Sequence, residues 1–160
     1  MSPEGGGCIE YLPASPSDID VVRGLFEEYA STLGIDLWFQ DFQAELSHLP
    51  GKYAPPDGAL ILAVLDGAAC GCVALRRIDA TTGEMKRLYV RPRQRGRGIG
   101  AALARRSIEE ARARGYHSIR LDTLPSMGSA LAVYRSLGFR KIPPYVFNPI
   151  EGALFLEKTL

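Results

Sequence analysis

The sequence predicts a single mixed α/β domain, a mixed sheet with helices on both faces. Three observations carry this. The chain has 160 residues, about one ordinary domain. Stretches alternating at period two are interleaved with stretches repeating at helical spacing. A glycine-rich loop also stands between an apolar strand and an Ala/Arg-rich helix. The composition, 46% hydrophobic and 23% charged, argues against disorder, collagen-like repeats and a disulfide-dense miniprotein.

In order, residues 8–12 read as a short strand after a Gly-rich start. Ser15, Pro16 and Asp18 supply an N-cap hydroxyl, an N1 proline and an acidic first turn. Ile19, Val22, Leu25, Phe26 and Tyr29 then recur at helical spacing up to a stop at Gly34. A second helix is expected over about 38–48, where Trp38, Phe39 and Phe42 read as core or as part of a binding pocket, before the breaker LPGKYAPPDG. Strands 59–65 and 69–78 are joined by Asp66-Gly67, a strong hairpin signal, and 85–90 alternates as a further strand. A helix over 99–114 ends at Gly115, a strand covers 117–122, and a helix over 127–137 closes at Gly138. Residues 139–141, the break at Pro143-Pro144 and a strand near 153–158 complete the chain. The order is β-α-α-β-β-β-α-β-α-β with room for one more strand, and neither an internal repeat nor an interdomain linker is visible.

The longest apolar run, 59–65, is far short of the ~20 residues of a spanning helix, and the opening lacks a basic n-region and an apolar h-region. A cytoplasmic protein without a membrane partner is expected. Cys8, Cys70 and Cys72 come without a CxxC or a spaced histidine pair, so neither a disulfide framework nor a metal site is expected, and Cys70 and Cys72 read as small buried hydrophobes.

A net charge of +1 hides a division. Residues 1–75 hold two cations against eleven carboxylates, a balance of −9, and residues 76–160 hold seventeen against seven, a balance of +10. Such a split suggests that the second half meets an anion and the first half a cation.

Helix N-termini present unpaired N–H groups and partial positive charge, and glycines let a ligand approach them closely. Arg95-Gly96-Arg97-Gly98-Ile99-Gly100, flanked by Arg91 and Arg93, therefore specifies an anionic, phosphorylated ligand. A nucleoside triphosphatase loop would need Gly-Lys-Ser/Thr, which is absent. A dinucleotide fingerprint is formally matched by Gly96, Gly98 and Ala101 with Asp122 ending the next strand. Against it, five residues separate Val90 from the first glycine, and only about 40 residues follow Asp122.

The segment LYVRPRQRGRGIGAALARRSIEEARARGY resembles the acetyl-CoA-binding segment of the GNAT N-acetyltransferase superfamily, whose Arg/Gln-x-x-Gly-x-Gly/Ala motif is matched by Arg95, Gly98 and Gly100. Downstream, ALAVYRSLGF (130–139) is similar to the family's Ala-x-x-x-Tyr-x-x-x-Gly-Phe helix. The two motifs cover 84–141, and Met127 stands where the family often has an asparagine. The resemblance implies one N-acetyltransferase domain over 1–160, with acceptor-side helices in 1–60 and a mixed, mostly antiparallel sheet of six to seven strands flanked by about four helices.

It also implies transfer of an acetyl group from acetyl-CoA to a primary amine of a small molecule or peptide, by direct attack in a ternary complex and without a metal. The cosubstrate would lie on Leu88, Tyr89 and Val90 and on Arg95, Gly96, Arg97, Gly98, Ile99, Gly100 and Ala101. Tyr134 matches the proton donor to the thiolate, and Glu84 falls where the family often has a general base. His48 and His117 are alternative bases on chemical grounds. The acidic first half, with Asp36 and with Asp41 and Glu45 at i, i+4, points to a cationic acceptor. A homodimer stays open. The alternative functions are a dinucleotide-binding oxidoreductase-type domain and an RNA-binding basic module using Tyr89 and Tyr116 for stacking. No nucleic-acid motif accompanies the latter.

Overall fold

In the computed structural model, residues 8–34, 36–37 and 41–160 are described. The expectations placed on the Gly-rich start, on Trp38 and on Phe39 fall outside them. The elements are β1 (Ile9–Pro13), α1 (Ile19–Leu33), α2 (Phe42–Ser47), β2 (Ala59–Leu65), β3 (Ala68–Asp79), β4 (Thr82–Val90), α3 (Ile99–Ala113), β5 (Ser118–Thr123), α4 (Gly128–Ser136), β6 (Arg140–Ile142) and β7 (Leu154–Thr159). The described strands form one sheet in the order β1-β2-β3-β4-β5-β7-β6. Every pairing is antiparallel except β4 with β5. One short parallel pair is not the doubly wound sheet that a dinucleotide fold requires, so that alternative fails on topology.

Local chemistry accounts for the boundaries. Ser15 N–H donates to Asp18 Oδ2 at 2.8 Å across a single 3₁₀ turn, from which α1 propagates. Asp66 and Gly67 both have positive φ, 51° and 80°, which joins β2 to β3 through the turn that matches strand twist. β4 begins at Thr82, three residues before the alternation suggests, because Gly83 and Glu84 are not recognisable as strand residues by hydropathy. A Cβ on Gly83 would approach the Leu75 and Tyr116 side chains at 3.1 Å, so glycine is what the packing there accommodates.

β2 is buried on both faces, as a central strand covered by helices on each side should be. Ile61 and Ala63 face α3 and α4 together with Val73, Leu103, Ile119 and Leu121. Leu60 and Leu62 face α1 and α2 together with Leu25, Phe26, Phe42 and Tyr89. The cysteines follow the same division, since a bulge that leaves Cys70 out of the β2–β3 register puts it in the first core while Cys72 lies in the second. Both are buried and free, as their reading as small hydrophobes requires. No described helix is long and apolar enough to cross a membrane, and the described residues hold no metal-binding cluster.

Part of the charge division is met by ion pairs between the two halves. First-half carboxylates meet second-half arginines at Glu28–Arg91, Glu45–Arg87 and Asp57–Arg77. Arg106 and Arg114 donate to the carbonyls of Tyr11 and Gly58. Tyr89 and Tyr116 are each only 6% exposed, which removes the stacking platform of the RNA alternative, although Arg93, Arg95, Arg97, Arg105 and Arg112 of the basic run stay exposed.

Candidate active site

β4 and β5 pair only over Thr82–Ser118, Gly83–Ile119 and Glu84–Arg120, and then separate. The cause lies on the other edge of β4. Cys72 opposes Tyr89 but Ala74 opposes Lys86, so β4 carries an extra residue at Arg87-Leu88. Arg87 takes up the bulge with φ 62°, in the left-handed region that a non-glycine residue enters at a cost of about 1–3 kcal/mol. Its guanidinium is 1% exposed, ion-paired to Glu45 at 2.9 Å, and lies 5.1 Å from the Phe42 ring centroid and 5.7 Å from that of Tyr29. Burial pulls its pKa down, yet the hydrogen bonds and charge of Glu45 hold the guanidinium firmly protonated. Glu45 also accepts from Tyr53 Oη at 2.8 Å. Both Glu45 oxygens thus serve the fold, which corrects the expectation that Asp41 and Glu45 jointly hold a cationic acceptor. Asp41 itself is an exposed residue preceding α2.

The opened strands leave two neighbouring spaces, of about 620 and about 40 Å³. The first is a groove of about 620 Å³, within the ordinary range for ligand pockets. One wall runs from Leu88, Tyr89 and Val90 to Arg95, Gly96 and Gly98 and into Ile99, Gly100 and Ala101; Ser126, Ser129, Ala130 and Val133 form the other. Gly96 and Gly98 have φ of 83° and 77°, so the loop turns as few other residues could. The α3 ladder begins with Ala102 N–H donating to Gly98 O at 3.1 Å, which leaves the amides of Ile99, Gly100 and Ala101 at the open end of the helix. Arg95 Nε donates to Val90 O at 2.9 Å and its guanidinium covers the Tyr89 ring, so this side chain ties the loop to the strand. Arg97 is exposed at the loop and is not part of the groove lining itself. Tyr29, Thr32, Leu33 and Gln94, which no motif singled out, line the groove too.

The second space is a cavity lined by Lys86, Asp122, Tyr134 and Asn148, and it shares Tyr29, Leu33, Leu88 and Met127 with the groove. Tyr134 is 6% exposed, its ring packs edge-on against Phe139, and no described residue hydrogen-bonds its hydroxyl. Burial raises the phenol well above the usual tyrosine range, with further upward pressure from Tyr29 and Asp122. Asp122 Oδ2 accepts from Asn148 Nδ2 at 3.0 Å. Met127, in place of the asparagine, takes the N-cap position of α4.

Glu84 is not at a solvated strand end. It is 1% exposed, Oε1 accepts from Arg76 Nε at 2.8 Å and Oε2 from Tyr145 Oη at 2.6 Å, and it does not line the cavity. His48 and His117 are also absent from the lining. His48 Nδ1 lies 2.8 Å from Ala44 O, and His117 pairs its backbone with Thr81 and Leu160.

A splayed pair of central strands, a glycine-turned helix N-terminus beside the opening, and a buried tyrosine in the cavity next to the groove match the family suggested by the two motifs. The family model for the acetyltransferase (GNAT) family matches residues 22–139. The chain belongs to this family. It is similar to an uncharacterised N-acetyltransferase of Schizosaccharomyces pombe, with 39% identity over 144 residues covering 89% of this chain and 88% of that one. Its fold matches a GNAT-family acetyltransferase from Staphylococcus aureus with a TM-score of 0.79 at 22% identity, covering 95% and 99% of the two chains. An acetyltransferase from Salmonella typhimurium, whose structure holds acetyl-CoA, matches with a TM-score of 0.67 at 18% identity over 95% and 94%. As a GNAT member the protein is an acetyl-CoA-dependent N-acetyltransferase with the mixed, mostly antiparallel seven-stranded fold.

Proposed function

We propose that the protein acetylates the primary amine of a small molecule or peptide by direct attack on acetyl-CoA within a ternary complex. The observation that carries this reading is the junction of groove and cavity at Leu88, Met127, Tyr29 and Leu33. A thioester whose pantetheine arm follows Leu88 to Val90 would present its carbonyl at that junction, with its phosphates on the amides from Gly96 to Ala101. The acceptor then enters from the cavity side, and both substrates are held at once.

In the reaction the amine nitrogen bonds to the carbonyl carbon, the C–S bond breaks, and the thiolate takes the proton of Tyr134 Oη. Burial keeps that phenol protonated until the thiolate forms. The ammonium proton of the adduct passes to Asp122, the carboxylate in the cavity lining. Glu84 supports this arrangement by holding Arg76 and Tyr145 rather than by meeting the amine.

The test measures free thiol released from acetyl-CoA against a panel of amines, with Asp122→Asn and Glu84→Gln beside wild type. The reading expects Asp122→Asn to lower kcat/KM most at low pH, where the amine is mainly protonated and a base is most needed. A pH profile that changes shape in Glu84→Gln and merely scales in Asp122→Asn would return the base to Glu84.

A further inference from the structure

Lys86 is the feature of the cavity that acetyl transfer to a simple amine leaves unused. Alternation along β4 places Glu84 and Lys86 on the side of the sheet that faces α1 and α2, and alternation along β5 places Arg120 and Asp122 on the same side. Glu84 and Arg120 are the last paired residues before the strands part. Two positions further along each strand, Lys86 and Asp122 stand on the two walls of the opening, and both line the cavity.

The Lys86 side chain is 11% exposed. Burial pulls its pKa below the usual lysine value, although Glu84 and Asp122 act in the opposite direction. Among the described residues its one ion pair is with Glu84 Oε1 at 4.0 Å, and that oxygen already accepts from Arg76 Nε at 2.8 Å. Glu84 is therefore neutralised without Lys86, and the ammonium, which keeps a small contact with solvent, is left with no short charged partner among the described residues. An acceptor carrying only an ammonium would add a second cation beside it. One carrying a carboxylate as well would give Lys86 a charge-assisted partner, while its amine lies toward Asp122.

We infer that Lys86 is a carboxylate-binding residue and that the acceptor is an amine bearing a carboxylate, of the amino-acid class, held between Lys86 and Asp122 across the opened strands. This rests on the acetyl-transfer reading above and names its substrate class, replacing the cationic acceptor suggested by the acidic first half.

The experiment assays thiol release from acetyl-CoA with the proteinogenic amino acids, each beside its carboxamide and its decarboxylated amine, in wild type, Lys86→Met and Lys86→Arg. The expected result is that the best acceptor is an amino acid whose KM rises about tenfold or more when its carboxylate is replaced by a carboxamide. Lys86→Met should bring that ratio toward one with an unchanged KM for acetyl-CoA, and Lys86→Arg should keep part of it. A wild-type ratio near one, or a ratio that survives in Lys86→Met, overturns the inference with acetyl transfer intact. Thiol release with none of the amines, while acetyl-CoA still raises the melting temperature, overturns the inference and leaves transfer to a peptide amine standing.

Discussion

Arg87 and Glu45, 42 residues apart, form a two-point ion pair: Arg87 Nε donates to Glu45 Oε2 at 2.9 Å and Arg87 Nη2 to Glu45 Oε1 at 3.0 Å. The pair fastens α2 to the bulge that parts β4 from β5. Removing one partner of a buried pair leaves an uncompensated charge and costs about 3–5 kcal/mol. Glu45→Ala should therefore lower the melting temperature by about 10 °C and weaken acetyl-CoA binding, since the bulge shapes the strand beside the groove. Differential scanning calorimetry and coenzyme titration check both effects. A large thermal loss with full coenzyme affinity would mean that the bulge holds without its partner.

Gly98 sits at the N-cap of α3 with φ 77° and open space where a Cβ would be. Gly98→Ala meets no clash, only the left-handed backbone penalty of about 1 kcal/mol. We expect a melting temperature lower by a few degrees together with a larger fall in affinity for acetyl-CoA, read by isothermal titration, because the amides of Ile99, Gly100 and Ala101 would no longer be aimed as a set.

Tyr134→Phe should lower kcat by about 10²–10⁴-fold with little change in the KM for acetyl-CoA. The pH dependence has a definite sign. Burial raises the phenol above its ordinary value of 10.0, so the proton donor stays protonated through neutral and moderately alkaline pH. The kcat profile should show no alkaline decline below about pH 10 attributable to this group. A decline in that range that disappears in Tyr134→Phe would place the phenol in a more polar setting than its packing implies.

Thiol chemistry offers an independent check on the two cores. Cys72 is pushed up to about 12 by burial, so at pH 8 roughly one molecule in ten thousand carries its thiolate. Cys70 is likewise buried and raised, mainly by desolvation, while Cys8 is exposed. Ellman's reagent should titrate one thiol promptly in the folded protein and three in denaturant. Prompt reaction of a second thiol would show that the bulge at Cys70 opens to solvent.

Much of the architecture was legible because it is written in local patterns. The Ser15-Pro16-Asp18 start, the Asp66-Gly67 hairpin and the helix stops at Gly34 and Gly115 depend on neighbours within a few residues, and each formed as expected. The groove was legible for the same reason. Residues 95–101 are contiguous, and a glycine-turned helix N-terminus acts through its own backbone.

The cavity was not legible, because its residues come from strands brought together only in the fold. Lys86, Asp122 and Asn148 lie on three separate segments, and no spacing in the chain relates them. The sequence offered Glu84 as a candidate base without showing its partners, since Arg76 and Tyr145 are eight residues before it and 61 after it. The charge division misled for a related reason. Sequence counts charges without showing whether they face outward, and Glu45, counted there among the candidate acceptor charges, is instead paired with the buried Arg87.

The sequence by itself determined the family, the order of elements and the glycine-turned loop before α3, since these rest on contiguous residues acting through backbone conformation and period. Tertiary structure decided which charges reach the acceptor. The work of burying an ion depends on the groups around it in space, and those groups are assembled where β4 parts from β5 next to the bulge at Arg87.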